Sequence, residues 1–228
     1  MSAPGAGAAQ SGPPQRIPTP PTSKPGAAPP WAALAREVRE GITLARVREA
    51  VVAHQPERVE PPPGARAAAV LIALFEEDGE ARVVLTRRTT TLPSHQGEVA
   101  FPGGKVDEGE DEVAGALREA EEEVGLDPTT VEIVGSLDHM VTVSSRFVLM
   151  PFVGFLAGRP ELTANDAEVE AIFDVSLAHL ITDPVFRAEV WDVGAGEWPM
   201  YFFELDHDIV WGATARVLFQ LLQLVTAG

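Results

Sequence analysis

The sequence predicts an α/β fold in which one mixed β-sheet is covered by helices on both faces. Strand-length apolar runs and helix-period segments interleave along the chain without an internal repeat, as in a layered α/β domain. A hydrophobic fraction of 45% over 228 residues is enough to fill one packed core of that kind. A turn built on Pro102-Gly103-Gly104 feeds a long charged helix, the usual junction between a strand and its covering layer. The expected organisation is a tail over 1–30 and a single domain over 31–228.

Residues 1–30 consist mainly of Ala, Gly, Pro, Ser and Thr, with Arg16 and Lys24 as the charged residues. Such a segment cannot bury enough apolar surface to offset its ordering entropy, which predicts a disordered, partly polyproline-like tail. A transit peptide is the alternative, disfavoured by the scarcity of arginine. From Trp31 to about Val52 the pattern is helical, broken at Gly41 and closed by Pro56 and Pro61–Pro63. Ala67–Phe75 is an apolar run of strand length, and the turn Glu77-Asp78-Gly79-Glu80 joins it to a second strand over Ala81–Thr86 as a hairpin. A short strand over Glu98–Phe101 reaches the Pro-Gly-Gly turn. Further strands are expected at Val131–Leu137, Phe147–Leu156, Val169–Val175, Glu189–Val193 and Met200–Glu204. Trp211–Val225 is a closing helix with Val217, Leu218, Leu221, Leu222 and Val225 on one side.

Composition narrows the function. The chain has no cysteine, so disulfides and thiolate metal sites are excluded, and a cytoplasmic location is the default. The longest apolar stretches are too short to span a bilayer, so no membrane partner is expected. A formal charge of −17 would repel a nucleic-acid backbone, which excludes that partner as well. It is compatible with a phosphorylated small molecule when divalent cations invert the field of a carboxylate cluster.

Such a cluster is present in Gly104–Leu126, GKVDEGEDEVAGALREAEEEVGL. The spacing is Gly, five residues, Glu, seven, Arg-Glu, an apolar residue, any residue, Glu-Glu, any residue, Gly and an apolar residue. Seven fixed positions at average usage give odds near ~10⁻⁸ per starting point, which sets chance aside. Asp107, Glu110, Asp111 and Glu112 crowd the start of the helix, where its dipole favours negative charge, and Gly125 supplies the left-handed residue that ends it. On a helical wheel Val113, Leu117, Ala120 and Val124 form the core stripe, while Glu119, Glu122 and Glu123 share another arc of about 100°. Three carboxylates at this spacing repel one another, and a hard divalent cation, Mg²⁺ or Mn²⁺, would relieve them. A solvated acidic face is the ordinary reading of a glutamate-rich helix; the register with Gly104, Arg118 and Gly125 overrides it. Glu121, on another side of the wheel, is assigned to solvent. Arg118 is expected to hold the carboxylates through charge-assisted hydrogen bonds.

This run resembles the Nudix box, and the chain is similar here to the Nudix hydrolases, differing only in the small Ala120 at the apolar position. The resemblance implies a Nudix-type α/β/α sandwich with a mixed β-sheet. It also implies metal-dependent hydrolysis of a nucleoside diphosphate linked to another moiety. By the same resemblance, Glu119, Glu122 and Glu123 with the carbonyl of Gly104 would bind the metal, and Glu119 or Glu168 would take the proton of the attacking water. Members of the family are often dimeric, so a homodimer is an expectation by analogy.

The preceding segment, LTRRTTTLPSHQGEVAFPGG, resembles the coenzyme A pyrophosphatases at Leu85, Thr86, Arg88, Gly97, Phe101, Pro102, Gly103 and Gly104. That implies coenzyme A or its thioesters as substrate, with adenosine 3′,5′-bisphosphate and a phosphopantetheine product. Arg88, His95 and Phe101 are the candidate substrate-binding residues; a local turn hydrogen bond is the alternative for His95, and Arg87 is a further candidate for phosphate. Thr89 stands where the pattern has Ser or Ala, and Pro93 where it has Arg, which removes a charge and a donor. ADP-ribose or another nucleoside diphosphate derivative is therefore the second substrate reading. A non-catalytic nucleotide-sensing module is the reading from another class, disfavoured because sensing alone does not require all three carboxylates.

Overall fold

A computed structural model describes residues 17–35, 38–39, 41–91, 95–142, 147–192 and 196–227. In chain order, β1 (Lys24–Pro25), a 3-10 turn at Pro30–Ala33 and α1 (Leu44–Ala53) precede the hairpin of β2 (Arg66–Glu77) and β3 (Glu80–Arg88). β4 (Val99–Ala100) and β5 (Gly103–Lys105) lead into α2 (Glu112–Val124). β6 (Glu132–Ser136), β7 (Met140–Val141), β8 (Phe147–Phe155) and β9 (Val169–Ser176) follow, then the single turn α3 (Leu177–Leu180). β10 (Phe186–Asp192), β11 (Glu197–Glu204), β12 (Ile209–Val210) and α4 (Gly212–Thr226) complete the chain.

Among the described residues the strands form a mixed sheet of eight and an antiparallel sheet of four. In the larger one β2 is central: β3 lies antiparallel on one side, and β8 runs parallel on the other from Arg66↔Phe147 to Leu74↔Phe155. The apolar run of β2 is continuous rather than alternating because both of its faces are covered. On one face Ala69, Leu71 and Phe75 meet Ala116, Ala120 and Val124 of α2. On the other, Ile72 and Leu74 with Val83 and Leu85 meet Val47 of α1 and Leu218, Leu221 and Leu222 of α4. The result is the expected α/β/α sandwich. The α4 stripe of Val217, Leu218, Leu221, Leu222 and Val225 is fully buried, and each such side chain contributes about 1.5–3 kcal/mol relative to exposure.

Two expectations are corrected. The strands near residues 190 and 200 do not join the main sheet: β10 and β11 pair with each other, Phe186 opposite Phe203 and Trp191 opposite Trp198, and form the smaller sheet with β1 and β12. Aromatic contacts fasten that sheet to α4, with Tyr201 stacked on Phe219 at 3.9 Å. The helical pattern from Trp31 to Val52 is interrupted around Gly41 as expected: the Thr43 side chain accepts from the Arg46 N–H and caps α1, while the Ile42 carbonyl before it accepts from the Ala81 N–H. Residues before 31 that were expected to be disordered also pack on the domain. Lys24–Pro25 pairs with β10, the Gly26 N–H donates to the Ala188 carbonyl, and Trp31 is buried against Phe186 and Phe219. Residues 1–16 of the expected tail lie outside the described residues. Among the described residues no helix is long and apolar enough to cross a membrane.

Candidate active site

The site forms where β5 runs beside β2 and α2 packs over both. Asp111 caps α2, its carboxylate accepting from the N–H groups of Val113 and Ala114. At the other end Gly125 takes φ 68°, and its N–H turns back to the Ala120 and Glu121 carbonyls. The buried line along α2 is Ala116, Ala120 and Val124, whereas Val113 and Leu117 of the expected stripe are only half-buried. Ala116 and Ala120 offer little bulk on the face turned to the sheet, and Glu123 is buried beside Val124.

The three helix glutamates have different surroundings. Glu123 is 3% exposed; its Oε2 accepts from the Gly103 N–H at 3.1 Å and its Oε1 from Arg88 at 3.3 Å. Burial pushes its carboxyl up to about 7, against the pull of the Gly103 N–H and Arg88 and with the push of Glu168 and Glu119. Glu119 is also raised, chiefly by burial, while Arg118 draws it down. Glu122 is exposed and lies 3.4 Å from Arg118. Glu121 faces solvent, as expected.

Arg118 organises the outer edge, donating to Glu110, Glu119 and Glu122 and to the Lys105 carbonyl. Glu110 is held down to about 2 by that guanidinium and by the Asp107 N–H. Beneath, the glycines permit the close approach. A Cβ at residue 103, where φ is 147°, would collide with the Ala69 carbonyl, and one at residue 104 would collide with the Glu119 carboxylate.

Glu168 reaches the site from the β8–β9 connection. This segment crosses the end of α2, where the N–H groups of Thr163 and Asn165 donate to the Val124 and Glu123 carbonyls, both at 2.9 Å. Glu168 lies close enough for its charge to push the Glu119 and Glu123 carboxyls upward, and its own side chain makes no hydrogen bond or ion pair among the described residues. The structure thus gathers Gly104, Glu119, Glu122, Glu123, Glu168 and Arg88. His95 does not join them: it is exposed at φ 57°, with Nδ1 2.8 Å from Glu98 Oε2, a turn contact. Phe101 is corrected outright as a substrate-binding residue. Val99 and Phe101 alternate with Ala100 and enter the core beneath α4, leaving Phe101 3% exposed with no face for a ligand. Arg87 points to the opposite face of β3 and pairs with Asp208 at 3.1 Å. Pro93 lies outside the described residues. Sequence reasoning missed the anchoring role of Glu110 and the turn beginning at Asn165, although the box spacing marks the first.

A hard cation suits this donor set, which is carboxylate and carbonyl oxygen throughout. The buried Glu123 charge, only partly compensated, and the side-chain-free backbone at Gly104 fit such an ion. Among the described residues no three acidic or histidine side chains converge as a finished metal site, because Arg118 engages Glu119 and Glu122 while Arg88 engages Glu123.

Comparison with known proteins agrees with this geometry. The family model described as NUDIX domain matches residues 65–192. Nudix hydrolase 22, chloroplastic, of Arabidopsis thaliana is 40% identical over 82% of this chain and 62% of its own length. The uncharacterized Nudix hydrolase NudL of Photorhabdus laumondii is 36% identical over 70% of this chain and 85% of its own. Nudix hydrolase 15, mitochondrial, of Arabidopsis thaliana is 38% identical over 75% of this chain and 61% of its own; the chain spans about three-fifths of the two plant relatives. Among solved structures, a Nudix hydrolase from M. smegmatis, RenU, superposes with a TM-score of 0.50 at 18% identity, covering 71% of this chain and 86% of that one. That likeness is one of fold. With the family model spanning more than half of the sequence and the box residues assembled at one site, the chain belongs to the Nudix hydrolase family.

Proposed function

We propose that this chain is a metal-dependent hydrolase that cleaves the pyrophosphate bond of coenzyme A or its thioesters. The products would be adenosine 3′,5′-bisphosphate and a phosphopantetheine compound. The observation that carries the reaction class is that Glu119 and Glu123 lie against the Gly103–Gly104 backbone, with Glu168 of a separate segment near enough for its charge to act on both carboxyls. The substrate rests on the segment from Leu85 to Gly104, with its likeness to coenzyme A pyrophosphatases.

In this reading the Gly104 carbonyl with Glu119, Glu122 and Glu123 would hold Mg²⁺ or Mn²⁺. The ion supplies charge neutralisation at the diphosphate and acidifies water. Glu168 is the better base: among the described residues its carboxylate has no side-chain partner, whereas Glu119 is bound by Arg118 at 2.9 Å. Glu168 takes one proton from the attacking water, whose oxygen bonds to one phosphorus as the bridging oxygen leaves. Arg88, which pairs with Glu123, is assigned to a substrate phosphate oxygen. Pro93, standing in place of an arginine, favours ADP-ribose or another nucleoside diphosphate derivative as the second reading. A cytoplasmic location and a homodimer belong to the same proposal, the first from the cysteine-free sequence and the second by family analogy.

The test is to incubate the purified protein with coenzyme A and Mg²⁺ or Mn²⁺ in ¹⁸O-water and resolve the products by mass spectrometry, beside ADP-ribose. Adenosine 3′,5′-bisphosphate formed faster than AMP from ADP-ribose is the expected result, and the labelled fragment identifies the attacked phosphorus. Cleavage of ADP-ribose alone would transfer the assignment to the second reading.

A further inference from the structure

The β8–β9 connection is fastened to the site on both sides of one turn. Upstream, the Asn165 N–H donates to the Glu123 carbonyl of α2 at 2.9 Å; downstream, the Thr89 N–H at the end of β3 donates to the Glu168 carbonyl at 2.9 Å. Between these points Asn165 accepts from three successive amides. Its backbone carbonyl takes the Glu168 N–H at 2.9 Å and the Val169 N–H at 2.8 Å, and its side-chain Oδ1 takes the Ala167 N–H at 3.2 Å. The side-chain bond replaces one link of a backbone turn, a geometry that asparagine closes readily.

This turn matters because the Glu168 carboxylate is held only through its backbone, which the Thr89 hydroxyl also steadies by donating to the Ala167 carbonyl at 3.5 Å. The Glu168 side chain has no hydrogen bond or ion pair among the described residues, so its direction follows from the backbone that carries it. Asparagine also supplies the acceptor without adding a fourth negative charge beside Glu119, Glu123 and Glu168. We infer that Asn165 is a positioning residue, whose side chain holds the 165–169 turn in the shape that presents Glu168 to the metal-binding carboxylates. The inference rests on the assignment of Glu168 as the proton acceptor.

The experiment is a double-mutant cycle on the full chain at saturating Mg²⁺, with coenzyme A and ADP-ribose as the two probes, on Asn165→Ala, Glu168→Gln and the pair. A displaced general base costs turnover rather than binding, so Asn165→Ala is expected to lower kcat roughly ten- to hundredfold with KM nearly unchanged. In the Glu168→Gln background the same substitution is expected to add nothing. An equal loss in both backgrounds, a loss confined to KM, or no loss at all would overturn the positioning role. Near-normal turnover by Glu168→Gln would instead remove the underlying assignment, a separate outcome. A readout independent of turnover comes from amide hydrogen exchange without metal. Exchange at Ala167 and Glu168 should rise at least tenfold in Asn165→Ala while α2 keeps its protection; unchanged exchange at those amides would show that the side chain does not hold the turn.

Discussion

Glu123 is buried on the inner side of α2 with two partners, the Gly103 N–H and the Arg88 guanidinium, yet burial carries its carboxyl up to about 7. In the unfolded chain the same group titrates near about 4.3. Between these values the folded state binds more protons than the unfolded one, so stability falls as pH rises through the window and the loss is complete above the folded value. Glu123→Gln should therefore stabilise the metal-free protein by on the order of 1–3 kcal/mol at pH 8 and leave it nearly unchanged at pH 4. Urea denaturation in chelator at the two pH values checks this. A destabilised variant at pH 8 would mean that the Arg88 pairing outweighs the cost of burial. Much of this residue-scale picture was legible in advance, since the box spacing marks Glu119, Glu122 and Glu123. Their unequal burial was not, because a helical wheel gives angles but not how closely the helix approaches the sheet.

At the scale of elements, β5 shows two adjacent glycines with different duties. At residue 103 an added Cβ meets backbone, the Ala69 carbonyl and the Val70 Cα, at a φ that other residues rarely adopt. At residue 104 it meets the far end of the flexible Glu119 side chain. Gly103→Ala should accordingly destabilise the fold, by about 2 kcal/mol or more. Gly104→Ala should change stability little while lowering metal affinity and turnover about tenfold or more. Thermal melts paired with Mn²⁺ titration separate the two, and equal melting temperatures for both variants would contradict the distinction. The caps of α2 were readable from Asp111 and Gly125, whose chemistry is local. Phe101 was misread because its neighbours in the motif suggested a ligand contact, although its alternation with Val99 already pointed it into the core.

The whole molecule joins a sandwich to a smaller sheet, and this division is where sequence patterning fell short. Strand periodicity identified β10 and β11 but not their partners, since pairings such as Phe186 with Phe203 depend on register across a loop. Lys24–Pro25 escaped notice for a related reason: two residues of a proline-rich segment become a strand only because β10 offers an edge. The larger sheet and its covering helices followed the expected plan. Glu119, Glu122 and Glu123 beside Gly104, with Glu168 nearby, are proposed to form a metal-dependent site for hydrolysing a diphosphate. The most direct measurement is turnover of coenzyme A and ADP-ribose by the intact chain and by Glu123→Gln, with Mg²⁺ and with chelator, after circular dichroism has shown both to be folded. Turnover is expected to require the metal and to fall at least about a hundredfold in the variant; turnover that survives both the chelator and the substitution would mean that these carboxylates do not form the catalytic site.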